Sequence, residues 1–132
     1  MALQRHTVGQ VGEIPPGNRK IVQVAGRSIG IFNVEGRFFA VRNSCPHQGG
    51  PLCLGPTMGL VTSDRPGQFN YERDGEILRC PWHGWEFDLA TGRSVFDPSR
   101  TRVRSYQVEV ETLQAETYPV EVHDESLVVV IT

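Results

Sequence analysis

No apolar run in this sequence is long enough to cross a bilayer. The longest near the C-terminus, Leu127 to Ile131, has only the length of a strand. Residues Met1 to His6 lack both the apolar core of a signal peptide and a twin-arginine pair. There is no basic excess: 13 Lys and Arg stand against 15 Asp and Glu, and Lys20 is the only lysine. A chain held to nucleic acid by phosphate charge needs that excess. Cysteine is scarce, with Cys45, Cys53 and Cys80 only, and an odd count makes a poor disulfide framework. No segment sustains apolar residues at the helical period, and neither a repeat nor a linker-like composition is present. These absences lead to the expectation of a soluble, cytoplasmic chain with no membrane or nucleic-acid partner.

What is present points to one small β domain. The 132 residues suit a single core, and 39% hydrophobic against 21% charged composition is that of a folding chain. The 14 glycines and 9 prolines make turns frequent. Short alternating runs lie between them. Ile21 to Val24 reads as a strand. Ser28 to Val34, the Glu35-Gly36 turn and Arg37 to Val41 read as a hairpin in which Ile29 and Ile31 can share faces with Phe39 and Val41. Asp74-Gly75 marks a second hairpin turn leading into Ile77-Leu78. Trp85 to Leu89 alternates before a Thr91-Gly92 turn, and Val103 to Val110 sets Tyr106, Val108 and Val110 on one face. Tyr118 to Val122 and Ser126 to Ile131 form a closing hairpin around Asp124-Glu125. Gly55 to Gly75 is a polar, turn-rich excursion with a short strand at Phe69-Asn70-Tyr71. The whole is all-β, a sandwich or barrel.

Charge is uneven along the chain. Residues 1–53 carry six bases and two acids, 54–108 seven of each, and 109–132 six acids and no base. Most of these read as solvated strand faces.

The chemistry lies in two short clips. Cys45-Pro46-His47 is followed, after 32 residues, by Cys80-Pro81-Trp82-His83. Each clip offers one thiolate and one imidazole, and each is followed by glycine, Gly49-Gly50 and Gly84. Four such ligands can hold zinc tetrahedrally, or a [2Fe-2S] cluster with two thiolates on one iron and two imidazoles on the other. The glycines favour the cluster, because bridging sulfides accept backbone N–H bonds and require close approach of the main chain.

The run C-P-H-Q-G-G-P-L-C with the later C-P-W-H-G-W-E-F-D resembles the Rieske iron–sulfur family over most of the chain. The resemblance implies a Rieske-type antiparallel β-sandwich over residues 1–132. A smaller cluster-binding subdomain would span about 43–92, formed by two loops, with a long insertion at about 55–76. It implies that Cys45 and Cys80 bind one iron and His47 and His83 the other, with no catalytic residues. The spacer between the clips is longer than is common in the family. It reads as a tolerated surface insertion, or as a flap beside the cluster.

Respiratory members carry an extra cysteine in each clip, joined as a disulfide. Trp82 occupies the second of those positions, and Cys53 is left as a small apolar residue near the loop. Those members also place serine and tyrosine hydroxyls near the cluster, where this chain has Trp85 and Phe87. Hydrogen bonds to the sulfurs raise the potential, so their absence implies a low-potential cluster. The resemblance points to a one-electron carrier of the soluble ferredoxin type. It would pass electrons from a flavin-dependent reductase to a terminal oxygenase, as a non-catalytic component of the system. The alternative is a non-catalytic small subunit of a nitrite reductase or ring-hydroxylating oxygenase. Oxygenation itself is not expected, because only 49 residues follow His83 and His123 is the only histidine among them.

Several flanking residues have two readings. Trp82 and Trp85 shield the cluster or line a docking surface, with core packing favoured for Trp85. Arg93, Arg100, Arg102 and Arg104 read as a solvated strand face, or as steering charge for an acidic partner. Asp97-Pro98 falls where the family places a proline loop over the cluster.

Overall fold

The structure is a computed structural model that describes residues 4–113 and 124–131. Its strands are β1 (Gln4–Gln10), β2 (Arg19–Val24), β3 (Arg27–Val34), β4 (Arg37–Arg42), β5 (Thr57–Arg65), β6 (Gln68–Arg79), β7 (Glu86–Asp88), β8 (Ser105–Leu113) and β9 (Asp124–Ile131). The described residues form no α-helix, only two 3-10 turns at Val11–Glu13 and Leu52–Leu54. None of their helices is long and apolar enough to cross a membrane. The all-β expectation holds.

Among the described residues the strands form two antiparallel sheets. One has six strands in the order β1-β9-β8-β4-β3-β2, the other three in the order β5-β6-β7. The larger sheet narrows between β4 and β8 to two residue pairs, Ala40 with Tyr106 and Val41 with Ser105. Its edge strands come together, because the Lys20 ammonium on β2 reaches the Val8 carbonyl on β1 at 3.3 Å and Glu13 at 2.6 Å. The sheet therefore curls around its own core of Ile14, Ile29, Ile31, Leu127 and Val129, all 1% exposed or less.

A second core lies between the outer face of β3 and β4 and the small sheet. Phe32, Val34 and Val41 meet Leu52, Cys53, Leu78, Phe87 and Leu89 there. Strand β3 is thus buried on both faces from Ile29 to Val34. Such a strand reads as a continuous apolar run rather than an alternation.

The β3–β4 register differs from the expectation. Glu35 and Gly36 both have positive φ, 51° and 90°, as a two-residue type I′ turn requires. That turn pairs Val34 with Arg37, Phe32 with Phe39 and Ile31 with Ala40. Directly paired residues share a face, so Ile29 and Ile31 side with Ala40. Phe39 and Val41 side with Phe32, on the opposite face.

Asp74-Gly75 is not a hairpin turn. Met58 pairs with Ile77 while Leu60 pairs with Glu72, so the residues between form a bulge inside β6. Arg73 and Gly75 carry its positive φ values of 55° and 81°. The hairpin turn lies at Pro66-Gly67, and the short strand expected at Phe69-Asn70-Tyr71 is part of the long β6. Asp124 and Glu125 do not form a turn either: they pair with Leu113 and Thr112 as the start of β9. Both neighbours of β9, β1 and β8, are already in place. Tyr118 to Val122, and His123, lie outside the described residues.

Candidate metal centre

The first clip leaves β4 and is fastened to the larger sheet. The Asn43 N–H donates to the Ser28 carbonyl at 2.8 Å, and the Asn43 Oδ1 accepts from the Cys53 N–H at 2.8 Å. The Arg19 guanidinium donates to the Cys53 carbonyl at 2.9 Å and to the Gly55 carbonyl, and lies 5.0 Å over the Phe32 ring. The second clip is the loop that joins β6 to β7, closed by the pairing of Arg79 with Glu86. The two meet at their bases. The Arg79 N–H donates to the Pro56 carbonyl at 2.9 Å, and a Cβ at Gly55 would fall on the Arg79 carbonyl oxygen.

The clips share one backbone pattern. In the first, the Gly49 N–H donates to the Cys45 carbonyl at 2.7 Å and the Cys45 N–H to the Gly50 carbonyl at 2.9 Å. In the second, the Gly84 N–H donates to the Cys80 carbonyl at 3.0 Å and the Cys80 N–H to the Trp85 carbonyl at 2.7 Å. Gly49 and Gly84 stand at the same point of the turn with φ of 74° and 76°, a region in which a side chain is strained. This is the physical reason each Cys-His clip runs into glycine.

The four donors separate by depth. Cys45 and Cys80 are each 2% exposed, within the second core. Burial pushes the Cys45 thiol up, and the Cys80 thiol beside it adds to the effect. The N–H groups of His47 and Gln48, which bond the Cys45 sulfur, pull the other way. His47 and His83 are exposed, their rings 5.0 Å apart and nearly perpendicular. Among the described residues no group of three or more His, Cys, Asp or Glu is placed to hold a single metal ion. The donors fall instead into a buried thiol pair and an exposed imidazole pair, the division a two-iron cluster with sulfide bridges takes.

The surroundings bear on the flanking residues. Trp85 packs partly buried against the second core and stacks on His47, with centroids 4.7 Å apart and an interplanar angle of 20°. A contact of this kind is worth about 0.5–1.5 kcal/mol. Trp82 is 56% exposed, so it lies at the surface. Phe96, at 90% exposure, and Val95 join His83, Gly84, Trp85 and Glu86 around a hollow beside the second clip. Pro98 sits elsewhere, with Leu60 and Ile77, so Val95 and Phe96 rather than Asp97-Pro98 flank the clip. The four arginines are exposed, but Arg93 and Arg102 face each other across an isolated bridge and not along a regular strand. Cys53 is fully buried; burial pushes its thiol up to about 12, which keeps it neutral. Sequence reasoning placed both clips. It missed Asn43 and Arg19, whose anchoring roles depend on contacts remote in sequence and carry no motif.

Comparison with known proteins agrees with this site. Residues 4–107 match the family described as the Rieske [2Fe-2S] domain. The ferredoxin component of a naphthalene 1,2-dioxygenase system from Pseudomonas aeruginosa is 28% identical over 99 residues, covering 75% of this chain and 80% of its own length. The solved Sphingomonas yanoikuyae B1 ferredoxin is 28% identical with a TM-score of 0.60, over 82% of this chain and 91% of its own. A solved structure described as a putative NADH-dependent nitrite reductase small subunit from Mycobacterium tuberculosis has a TM-score of 0.69. It covers 100% of this chain and 98% of its own, and at 21% identity it speaks to the fold alone. A match running from β1 into β8, over a frame that brings two thiol–imidazole clips to one end, makes this chain a member of the Rieske [2Fe-2S] domain family, and its cofactor is the two-iron cluster of that family.

Proposed function

We propose that the chain is a one-electron carrier whose cluster is held by Cys45 and Cys80 on one iron and by His47 and His83 on the other. The observation that carries this reading is the depth difference: both thiols are 2% exposed and both imidazoles face solvent. The cluster supplies a one-electron redox change. The chain keeps its thiolate side dry and offers the two imidazoles as the short route outward. In this reading their outer ring N–H groups would donate to a partner. Trp85 and Phe87 bring no hydroxyl toward the sulfurs, which supports a low potential.

The partners we propose are a flavin-dependent reductase as donor and a terminal oxygenase as acceptor, in the cytoplasm. The ferredoxin component of a dioxygenase system among the relatives supports the oxygenase. We further read residues 1–132 as one Rieske domain, with a cluster-binding part at about 43–92. The β5–β6 hairpin is then the insertion at about 55–76.

The test is EPR on the dithionite-reduced holoprotein with iron and zinc analysis. A rhombic signal of low average g with two irons per chain is expected. A silent spectrum with one zinc would overturn the carrier reading. A redox titration then checks the potential, and a strongly positive midpoint would refute the low-potential assignment.

A further inference from the structure

The shared backbone pattern pairs the clips position by position. Counting from the cysteine, His47 corresponds to Trp82, Gly49 to Gly84 and Gly50 to Trp85. The side chains then cross. The third residue of the first clip, His47, stacks on the sixth of the second, Trp85. The third residue of the second clip, Trp82, covers the sixth of the first. A Cβ built on Gly50 would lie 2.7, 2.9 and 3.1 Å from three atoms of the Trp82 indole. Gly50 is buried although Pro46 to Gly49 before it are exposed, and the indole lies over it.

We infer that these two contacts form a cross-clip lock, in which Trp85 and Trp82 are positioning residues for the imidazole ligands. The inference rests on the ligand assignment above. The clips belong to different sheets. Their bases meet at Pro56 and Arg79, but that contact does not fix the outer ends where the imidazoles stand. Stacking of Trp85 fixes the plane of His47. Seating of Trp82 on Gly50 holds the second clip, and with it the neighbouring His83, at a set distance from the first. Ring orientation around a metal is normally fixed by such outer contacts.

The experiment compares reduced holoprotein carrying W85L, W85F, G50A and the double change G50A/W82A. It reads iron content, the nitrogen couplings of the two imidazoles by pulsed EPR, the midpoint potential, and the rate of iron loss to a chelator. W85L is expected to spread one of the two nitrogen couplings, shift the midpoint and speed iron loss several-fold, while W85F, which keeps a ring, stays near wild type. G50A, which drives the Trp82 indole off its seat, is expected to behave like W85L, and G50A/W82A, which removes the indole, to lose iron no more slowly than G50A; wild-type iron retention in the double change would overturn the role of Trp82. Wild-type couplings and iron loss in W85L would overturn the lock. If W85L takes up no iron, loading of W85F decides: restored loading supports the stack, and equal failure overturns it. Wild-type protein lacking two nitrogen couplings would defeat the ligand assignment instead.

Discussion

Gly30 and Cys53 occupy one space. A Cβ at Gly30 would stand 2.5 Å from the Cys53 sulfur and 2.7 Å from its Cβ, both within the fully buried interface between the sheets. The missing side chain on β3 is what admits the 3-10 turn that follows the first clip.

Gly30→Ala is therefore expected to destabilise the protein by about 1–3 kcal/mol, the usual cost of overfilling a packed site. Cys53→Ala in the same chain removes the sulfur but keeps the Cβ at 2.7 Å, so it is expected to recover only part of that loss. Urea unfolding of the single and double variants measures it, and simple additivity would refute the shared-space account.

The Cys53 thiol also predicts a pH dependence. With its pKa raised to about 12 by burial, the folded chain keeps the proton that the unfolded chain releases near pH 9. The stability it contributes is complete below about pH 9 and is lost as pH rises toward 12. Cys53→Ala is expected to flatten the decline of stability across that alkaline window. Unfolding curves at stepped pH are the check.

One hydroxyl ties the two strands together at the base of the outer half of the β5–β6 hairpin. The Tyr71 OH accepts from the Gly59 N–H at 2.7 Å and donates to Asp74 at 2.7 Å. Tyr71→Phe leaves the N–H of the buried Gly59 without that acceptor and the exposed Asp74 without that donor. Amide hydrogen exchange in residues 59–73 is expected to quicken, with the larger sheet unaffected; equal protection throughout would show that the hydroxyl carries no weight there.

His47→Cys and His83→Cys test the ligand set. A thiolate brings a negative charge where imidazole is neutral, so each variant is expected to lose the low-g rhombic signal or shift its potential strongly downward. A variant with the wild-type spectrum would remove that histidine from the set.

The metal clips and most strands were legible because their signals are local: Cys-x-His and Cys-x-x-His spacing, and two-residue turns between alternating runs. The errors came from ambiguous local signals. Asp74-Gly75 supplies left-handed conformations equally to a hairpin turn or to a bulge, and the long partner β5 selected the bulge. Apolarity does not identify the inward faces of β3 and β4, because both sides of β3 are buried; the two-residue turn does, by pairing Phe32 with Phe39. The cross-clip contacts of Trp82 and Trp85 join residues more than thirty positions apart, and only the fold brings them together.

That doubly buried β3 has a consequence for the apoprotein. The strand serves as a party wall: one face lines the curled sheet, and the other belongs to the layer that carries the clips. Neither room can be emptied without exposing the wall. Loss of metal that loosens the small layer would bare Phe32, Val34 and Val41 as a contiguous apolar strip. Demetallated chains should then self-associate before the larger sheet melts, and cluster loading sets their solubility as well as their redox chemistry.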